Sequence, residues 1–64
     1  MTFTEALIAS GYVFDSDNFD DCYVKTDSKG FIHLYQEGED ESEWNYVKMN
    51  EDYDVLTEKT FALN

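Results

Sequence analysis

The chain contains no arginine and no proline, and cysteine and histidine occur only once each. Proteins that bind the phosphate backbone of nucleic acids use arginine and lysine to displace counterions. With four lysines against fifteen acidic residues and a formal net charge of -11, this chain is excluded from that class. Anionic membrane surfaces are excluded for the same reason, and no apolar run approaches the roughly 20 residues of a membrane-spanning helix.

The scarcity of cysteine and histidine also limits the chemistry. A structural zinc site takes four Cys or His ligands, whereas Cys22 and His33 are the only candidates here. Cys22 has no partner for an internal disulfide, which is typical of a reducing compartment. The N-terminus lacks a positively charged segment, and Glu5 interrupts its short apolar stretch. We therefore expect no signal peptide and a cytoplasmic location, which is the host cytoplasm if the protein is phage-encoded.

The residues that are abundant are apolar, aromatic and acidic. Hydrophobic residues make up 42% of the chain and aromatic residues 17%, and disordered acidic chains lack such aromatic content. Sixty-four residues suffice for one domain at most. The composition therefore predicts a single small folded domain over residues 1–64.

The spacing of the apolar residues predicts an α+β fold, with one N-terminal helix packed on an antiparallel sheet of three to four strands. Thr2 and Glu5 have the spacing of a capping box, and the apolar positions after them predict a helix over about residues 3–10. Gly11 fits the left-handed position that follows a helix.

A period of two replaces the helical spacing in the rest of the chain. The predicted strands are 22–27, 31–36 and 44–49. Gly30 suits the left-handed position of a tight hairpin turn, which places Lys25 opposite His33. The segment 55–63 alternates like a strand, although Asp54 could cap a short helix there, and we favour the strand.

Alternation gives the predicted sheet two different faces. The aliphatic face carries Cys22, Val24, Ile32, Leu34, Val47 and Met49. The aromatic face carries Tyr23, Phe31, His33, Tyr35, Trp44 and Tyr46, with Lys25 and Lys48 among them. We expect the helix to pack on the aliphatic face through Leu7 and Ile8. The aromatic face is then covered by the C-terminal segment through Phe61 and Leu63, buried in a homodimer, or presented to a partner.

Calcium is the metal that acidic loops most often bind, and an EF-hand loop requires glycine at position 6 and glutamate at position 12. Starting at Asp15, position 6 is Asp20. Starting at Asn50, position 6 is Val55 and position 12 is Phe61. Both frames fail, so we expect no metal and no cofactor.

Catalytic groups are equally scarce. Cys22 and His33 could act as nucleophile and base only if they met in space, but the alternation assigns them to opposite faces. A pair of catalytic carboxylates needs a cleft that shifts one pKa, for which a domain of this size has little room. We therefore expect that the protein is not an enzyme.

Three acidic clusters are the most informative feature of the sequence. The first comprises Asp15, Asp17, Asp20 and Asp21. The second comprises Glu37, Glu39, Asp40, Glu41 and Glu43. The third comprises Glu51, Asp52, Asp54 and Glu58. Glu37 to Glu43 place a carboxylate at every second residue, roughly 6.6 Å apart in an extended segment. This spacing is of the order of the phosphate step along one DNA strand, whose axial rise is about 3.4 Å.

Small size, strong acidity, abundant tyrosine and carboxylates at this spacing resemble the DNA-mimic inhibitors that bacteriophages encode, such as anti-restriction and anti-CRISPR proteins and uracil-glycosylase inhibitors. The resemblance implies an inhibitor that binds the basic nucleic-acid groove of a nucleic-acid-processing protein, for example a CRISPR or restriction effector, without binding nucleic acid itself. We expect the three clusters to replace phosphates, and Tyr35, Trp44 and Tyr46 to act as apolar anchors.

Two other interpretations stay open from the sequence alone. The acidic residues could be a solvated surface that keeps a small protein soluble, although a net charge of about 2–8 suffices for that purpose. Alternatively, the protein could be a small acidic accessory protein that forms a homodimer through the aromatic sheet face, with no nucleic-acid mimicry.

Overall fold

The structure is a computed structural model that describes residues 2–40 and 42–63. Its elements are α1 (Phe3–Ala9), β1 (Val13–Asp15), β2 (Cys22–Thr26), β3 (Ile32–Glu37), β4 (Glu43–Met49) and β5 (Val55–Ala62). The strands form one sheet in the order β1-β2-β3-β4-β5, and each strand is antiparallel to the next. The α+β prediction is confirmed, but the sheet has five strands and not three to four. In the described residues, no helix has the length and hydropathy of a transmembrane span.

The capping box fixes the start of α1. The backbone N–H of Glu5 donates to Oγ1 of Thr2 at 3.1 Å, and the Thr2 N–H donates to Oε1 of Glu5 at 3.3 Å. Two of the donors that a helix start leaves free are thereby satisfied. The helix ends at Ala9, one residue before the predicted end, and Gly11 follows with φ +97°.

The β2–β3 hairpin has the register that the sequence predicted. Lys25 lies opposite His33, and the Asp27 N–H donates to the carbonyl of Phe31 at 2.9 Å. The carboxylate of Asp27 also accepts hydrogen bonds from the backbone N–H groups of Lys29 and Phe31. Asp27 therefore stabilises the turn with its side chain as well as its backbone.

Of the two edge strands of the sheet, the sequence predicted one and missed the other. The strand prediction for residues 55–63 is confirmed as β5, with a β-bulge that leaves Leu56 without a partner in the register with β4. The bulge places Val55 opposite Met49, and so turns Val55 to the aliphatic face. The other edge, β1, was missed, because three residues are too few to show a period of two.

The predicted seat of the helix is wrong: α1 packs on the aromatic face. The ring of Phe3 lies 4.8 Å from Trp44, 5.5 Å from Tyr35 and 6.0 Å from Phe61, in edge-to-face contacts. Leu7 is one helical turn beyond Phe3 and is buried, because residues four apart share a helix face. Ile8 falls outside this stripe and is 57% exposed.

Part of the aliphatic face is covered instead by the β1–β2 connection, residues 16–21, for which the sequence predicted no helix or strand. Phe19 lies over this face and lines a groove of about 210 Å³ with Leu34, Met49 and other residues of the face. Its ring also lies 6.1 Å from Tyr53. One short helix thus covers part of the aromatic face, and one aromatic side chain covers part of the aliphatic face.

Candidate functional site

The acidic clusters lie at the two ends of the sheet. Asp15 pairs with Cys22 at the start of β2, and β3 ends with Glu37 at this same end of the sheet. The first two clusters therefore meet at one end. We call this surface the acidic end and define it by Asp15, Asp20, Asp21, Glu37, Glu39, Asp40 and Glu43. The β4–β5 turn, which carries Glu51, Asp52 and Asp54, lies at the opposite end.

Two residues of the clusters lie elsewhere, and one lies outside the described residues. Asp17 precedes Phe19 in the part of the loop that turns over the aliphatic face. Glu58 is an exposed residue of β5 opposite Val47. Glu41 is the predicted site residue that falls outside the described part of the chain.

The phosphate-like spacing of Glu37 to Glu43 is not observed, because these residues form a hairpin connection and not an extended segment. Gly38 N–H donates to the carbonyl of Glu43 at 2.8 Å, and the Glu43 N–H donates to that of Asp40 at 3.0 Å. The chain reverses between Glu37 and Glu43, so the described carboxylates of this segment do not follow one another along one extended strand. Any mimicry of DNA must therefore depend on the density of charge at the acidic end, and not on a linear ladder.

Most carboxylates of the clusters are exposed, but Asp15 also has a structural role. Its Oδ1 accepts hydrogen bonds from the backbone N–H groups of Asp17 and Asn18, each at 2.9 Å. The hydrogen bond from Asn18, followed by that from Asp17, lowers the pKa of Asp15. Asp15, the last residue of β1, thus starts the loop that carries the other acids of the first cluster. Glu43, the first residue of β4, is half-buried.

Asp20 and Asp21 are held in an unusual backbone conformation. Both have positive φ, +48° and +63°, a left-handed conformation that is uncommon for residues other than glycine but that Asp and Asn adopt more readily than most. The amide of Gln36 donates to the carbonyl of Asp20 at 2.8 Å and ties the end of the loop to β3. The two carboxylates are exposed and lie beside Glu37.

The lysines do little to neutralise this charge. Nζ of Lys25 donates to the carbonyl of Ser10 at 2.7 Å, at the negative end of α1. Lys48 lies over an aromatic ring, 4.5 Å from its centroid. Within the described part of the chain, the one ion pair shorter than 4.0 Å joins His33 to Asp27, at the end of the sheet away from the acidic end. The carboxylates of the acidic end thus lack a lysine partner at that distance.

The predicted aromatic anchors do not form an open surface. Trp44 is 2% exposed beneath Phe3, so it offers no area to a partner. Tyr35 and Tyr46 are half-buried, and their rings lie 4.9 Å apart. The exposed aromatic residue next to the acidic end is Phe14, which is 51% exposed on β1. The sequence signal for it was weak, because Phe14 stands in a strand of three residues.

His33 links the hairpin turn to the aromatic face. Its Nε2 lies 2.9 Å from Oδ2 of Asp27, and its Nδ1 lies 2.7 Å from the hydroxyl of Tyr46. A carboxylate only accepts hydrogen bonds, so a neutral His33 carries its proton on Nε2 and the Tyr46 hydroxyl donates to Nδ1. Burial raises the pKa of Tyr46, which keeps the phenol protonated. These hydrogen bonds connect the β2–β3 turn to β3 and β4 at the end of the sheet opposite the acidic end.

Cys22 and His33 lie on opposite faces of the sheet, as predicted. Burial, followed by the charges of Asp20, Asp21 and Asp15, raises the pKa of the Cys22 thiol. Its reactive thiolate form is thus disfavoured.

Among residues 2–40 and 42–63, no group of three or more His, Cys, Asp or Glu side chains is arranged to hold a metal ion. Comparisons with protein-family models, with curated proteins and with solved structures give no match to this chain.

Proposed function

We propose that the protein is a stoichiometric inhibitor that binds the basic nucleic-acid groove of a nucleic-acid-processing protein, with its acidic end in the place of DNA. The observation that carries the proposal is the convergence of two acidic loops at one end of the sheet, where the described carboxylates have no lysine within 4.0 Å. A surface of this kind attracts lysine and arginine side chains and repels nucleic acid.

The charge of the surface supports a role in association. Exposed charges of one sign steer a partner of the opposite sign and raise the association rate, and they suppress contact with wrong partners. The net charge of -11 is larger in magnitude than the charge of about 2–8 that suffices for the solubility of a small domain. A CRISPR or restriction effector has a groove of the required sign, because such grooves neutralise phosphates.

The homodimer alternative has less support than the inhibitor. It required an aromatic sheet face without a cover, whereas Phe3 and Leu7 of α1 pack against that face and Trp44 is 2% exposed. Two copies would also bring together two charges of -11. We therefore retain the inhibitor as the single proposal.

The proposal is tested by capture from a bacterial lysate on the immobilised protein, at low and at high salt. We expect a nuclease or another DNA-binding protein to bind at low salt, to elute as salt rises, and to be displaced by double-stranded DNA. The salt dependence follows from screening, since the Debye length falls from about 10 Å at 0.1 M to about 3 Å at 1 M.

Two variants with equal charge changes locate the interface. The double variant Glu39→Gln/Asp40→Asn removes two negative charges from the acidic end, and Glu51→Gln/Asp52→Asn removes two from the opposite end. We expect the first to weaken the complex by about 2 kcal/mol, if these groups meet desolvated lysine or arginine, and the second to have little effect. Equal binding by both variants at every salt concentration, or no captured protein that DNA displaces, would reject the proposal.

A further inference from the structure

A cleft with an aromatic wall lies at the acidic end, on the outer part of the aromatic face. It is open to solvent, its volume is about 460 Å³, and the residues that line it are Phe14, Asp20, Asp21, Tyr23, Gln36 and Glu37. The rings of Phe14 and Tyr23 lie 5.1 Å apart, inclined at 59°, as directly paired residues of β1 and β2. The helix does not close this corner, since Phe14 is 51% exposed. The cleft therefore combines an exposed aromatic wall with carboxylates.

We infer that this cleft binds the guanidinium group of an arginine side chain from the partner protein. Guanidinium is planar and weakly hydrated, so it stacks on aromatic rings while its N–H groups donate to carboxylates. The cleft supplies both partners: the Phe14–Tyr23 pair offers ring faces, and Asp20, Asp21 and Glu37 offer acceptors. A lysine ammonium would use the charge but gain less from the flat aromatic surface.

The negative charge around the cleft favours a cation as its occupant. The described part of the chain has no lysine within 4.0 Å of these three carboxylates, so the cleft has no internal counter-charge. The three carboxylates line an open volume and do not converge on one point. Accordingly, no group of three among the described residues is placed to hold a metal ion. The inference rests on the proposed function, and it names the side chain that the acidic end selects in a basic groove.

The test is a titration of the isotope-labelled protein with N-acetyl-arginine amide at low salt, followed by NMR. We expect saturable shifts of the ring protons of Phe14 and Tyr23 in the millimolar range. The neutral isostere N-acetyl-citrulline amide should shift these protons at least tenfold less. N-acetyl-lysine amide should bind several-fold more weakly than the arginine compound. Lysine binding as tight as arginine binding, or equal shifts with citrulline, would overturn the assignment.

Matched variants separate the aromatic and the acidic contributions. Phe14→Leu keeps an apolar side chain but removes the ring, and we expect it to weaken arginine binding by roughly threefold to tenfold. Glu37→Gln should weaken it by a similar factor, whereas Glu51→Gln at the opposite end should leave it unchanged. An unchanged affinity in both cleft variants, with folded spectra, would overturn the inference.

The two proposals can fail separately. If arginine does not bind the cleft while Glu39→Gln/Asp40→Asn still weakens a DNA-displaceable complex, the cleft assignment is wrong and the inhibitor proposal stands. If arginine binds the cleft but no DNA-displaceable protein is captured, the cleft recognises arginine in a partner of another kind.

Discussion

Nε2 of His33 lies 2.9 Å from Oδ2 of Asp27, across the end of the β2–β3 hairpin. The other carboxylate oxygen of Asp27 accepts the backbone N–H groups of Lys29 and Phe31. The pKa of Asp27 is lowered, mainly by the hydrogen bond from His33. The two backbone hydrogen bonds add to this effect. One side chain thus fixes both the turn and the position of the imidazole.

We expect Asp27 to stabilise the fold at neutral pH and to lose this effect in acid. A carboxyl whose pKa is lower in the folded than in the unfolded state stabilises the protein fully above the unfolded value, about 3.9 for Asp. The contribution disappears as pH falls through the lowered folded-state pKa. Urea denaturation of wild type and Asp27→Asn between pH 7 and pH 2 measures it as the difference in free energy of unfolding.

The expected difference favours wild type at pH 7 and approaches zero in acid, because a protonated Asp27 resembles asparagine. Comparing the two proteins at each pH removes the effect of the other carboxylates, whose protonation relieves repulsion in both. Glu51→Gln, at an exposed acid of the β4–β5 turn, is the control: it also removes one negative charge but should be no less stable than wild type at pH 7, because it relieves repulsion. A difference that stays constant down to pH 2 would contradict the role of the Asp27 charge.

Local patterns in the sequence predicted much of the fold. The capping box of Thr2 and Glu5 and the hairpin register through Lys25 and His33 are set by near neighbours along the chain, so their signals are complete in the sequence. The position of the helix depends on which of the two apolar sheet faces is complementary to its apolar side chains. The decisive contact, Phe3 on Trp44, joins residues far apart in the chain, and alternation alone does not identify it.

The candidate site shows the same division. Its charge and the loop positions of its acids are readable from composition and spacing, and the separation of Cys22 from His33 followed from alternation. The reversal of the chain between Glu37 and Glu43 depends on hydrogen bonds between β3 and β4, so an extended ladder was the wrong geometry. The cleft beside Phe14 required the pairing of a strand too short to predict.

Removal of the Phe3 ring should destabilise the protein and expose Trp44. Phe3 contacts three aromatic rings, and Phe→Ala changes in cores cost 3–5 kcal/mol. Because Phe3 is half-buried, we expect about 3 kcal/mol, with a red shift of the fluorescence of the single tryptophan. The control is Ile8→Ala in the same helix, where the side chain is 57% exposed and the loss should be small. Similar losses for both variants would mean that Phe3 does not anchor the helix.

Salt should stabilise this protein, because its carboxylates repel one another in the compact state. Raising NaCl from 0.01 M to 1 M shortens the Debye length from about 30 Å to about 3 Å, which screens the repulsion at the acidic end. Glu39→Gln/Asp40→Asn should be more stable than wild type at low salt, by roughly 0.5 kcal/mol for exposed charges, and should gain less from salt. Lys59→Gln, on the exposed edge strand β5, removes a positive charge and should have the opposite effect on both quantities.

Urea denaturation at four salt concentrations measures the free energy of unfolding of all three proteins. If the acidic variant is less stable than wild type at low salt, the carboxylates of the acidic end support the fold, and their conversion to neutral residues would then weaken a partner complex for structural reasons alone.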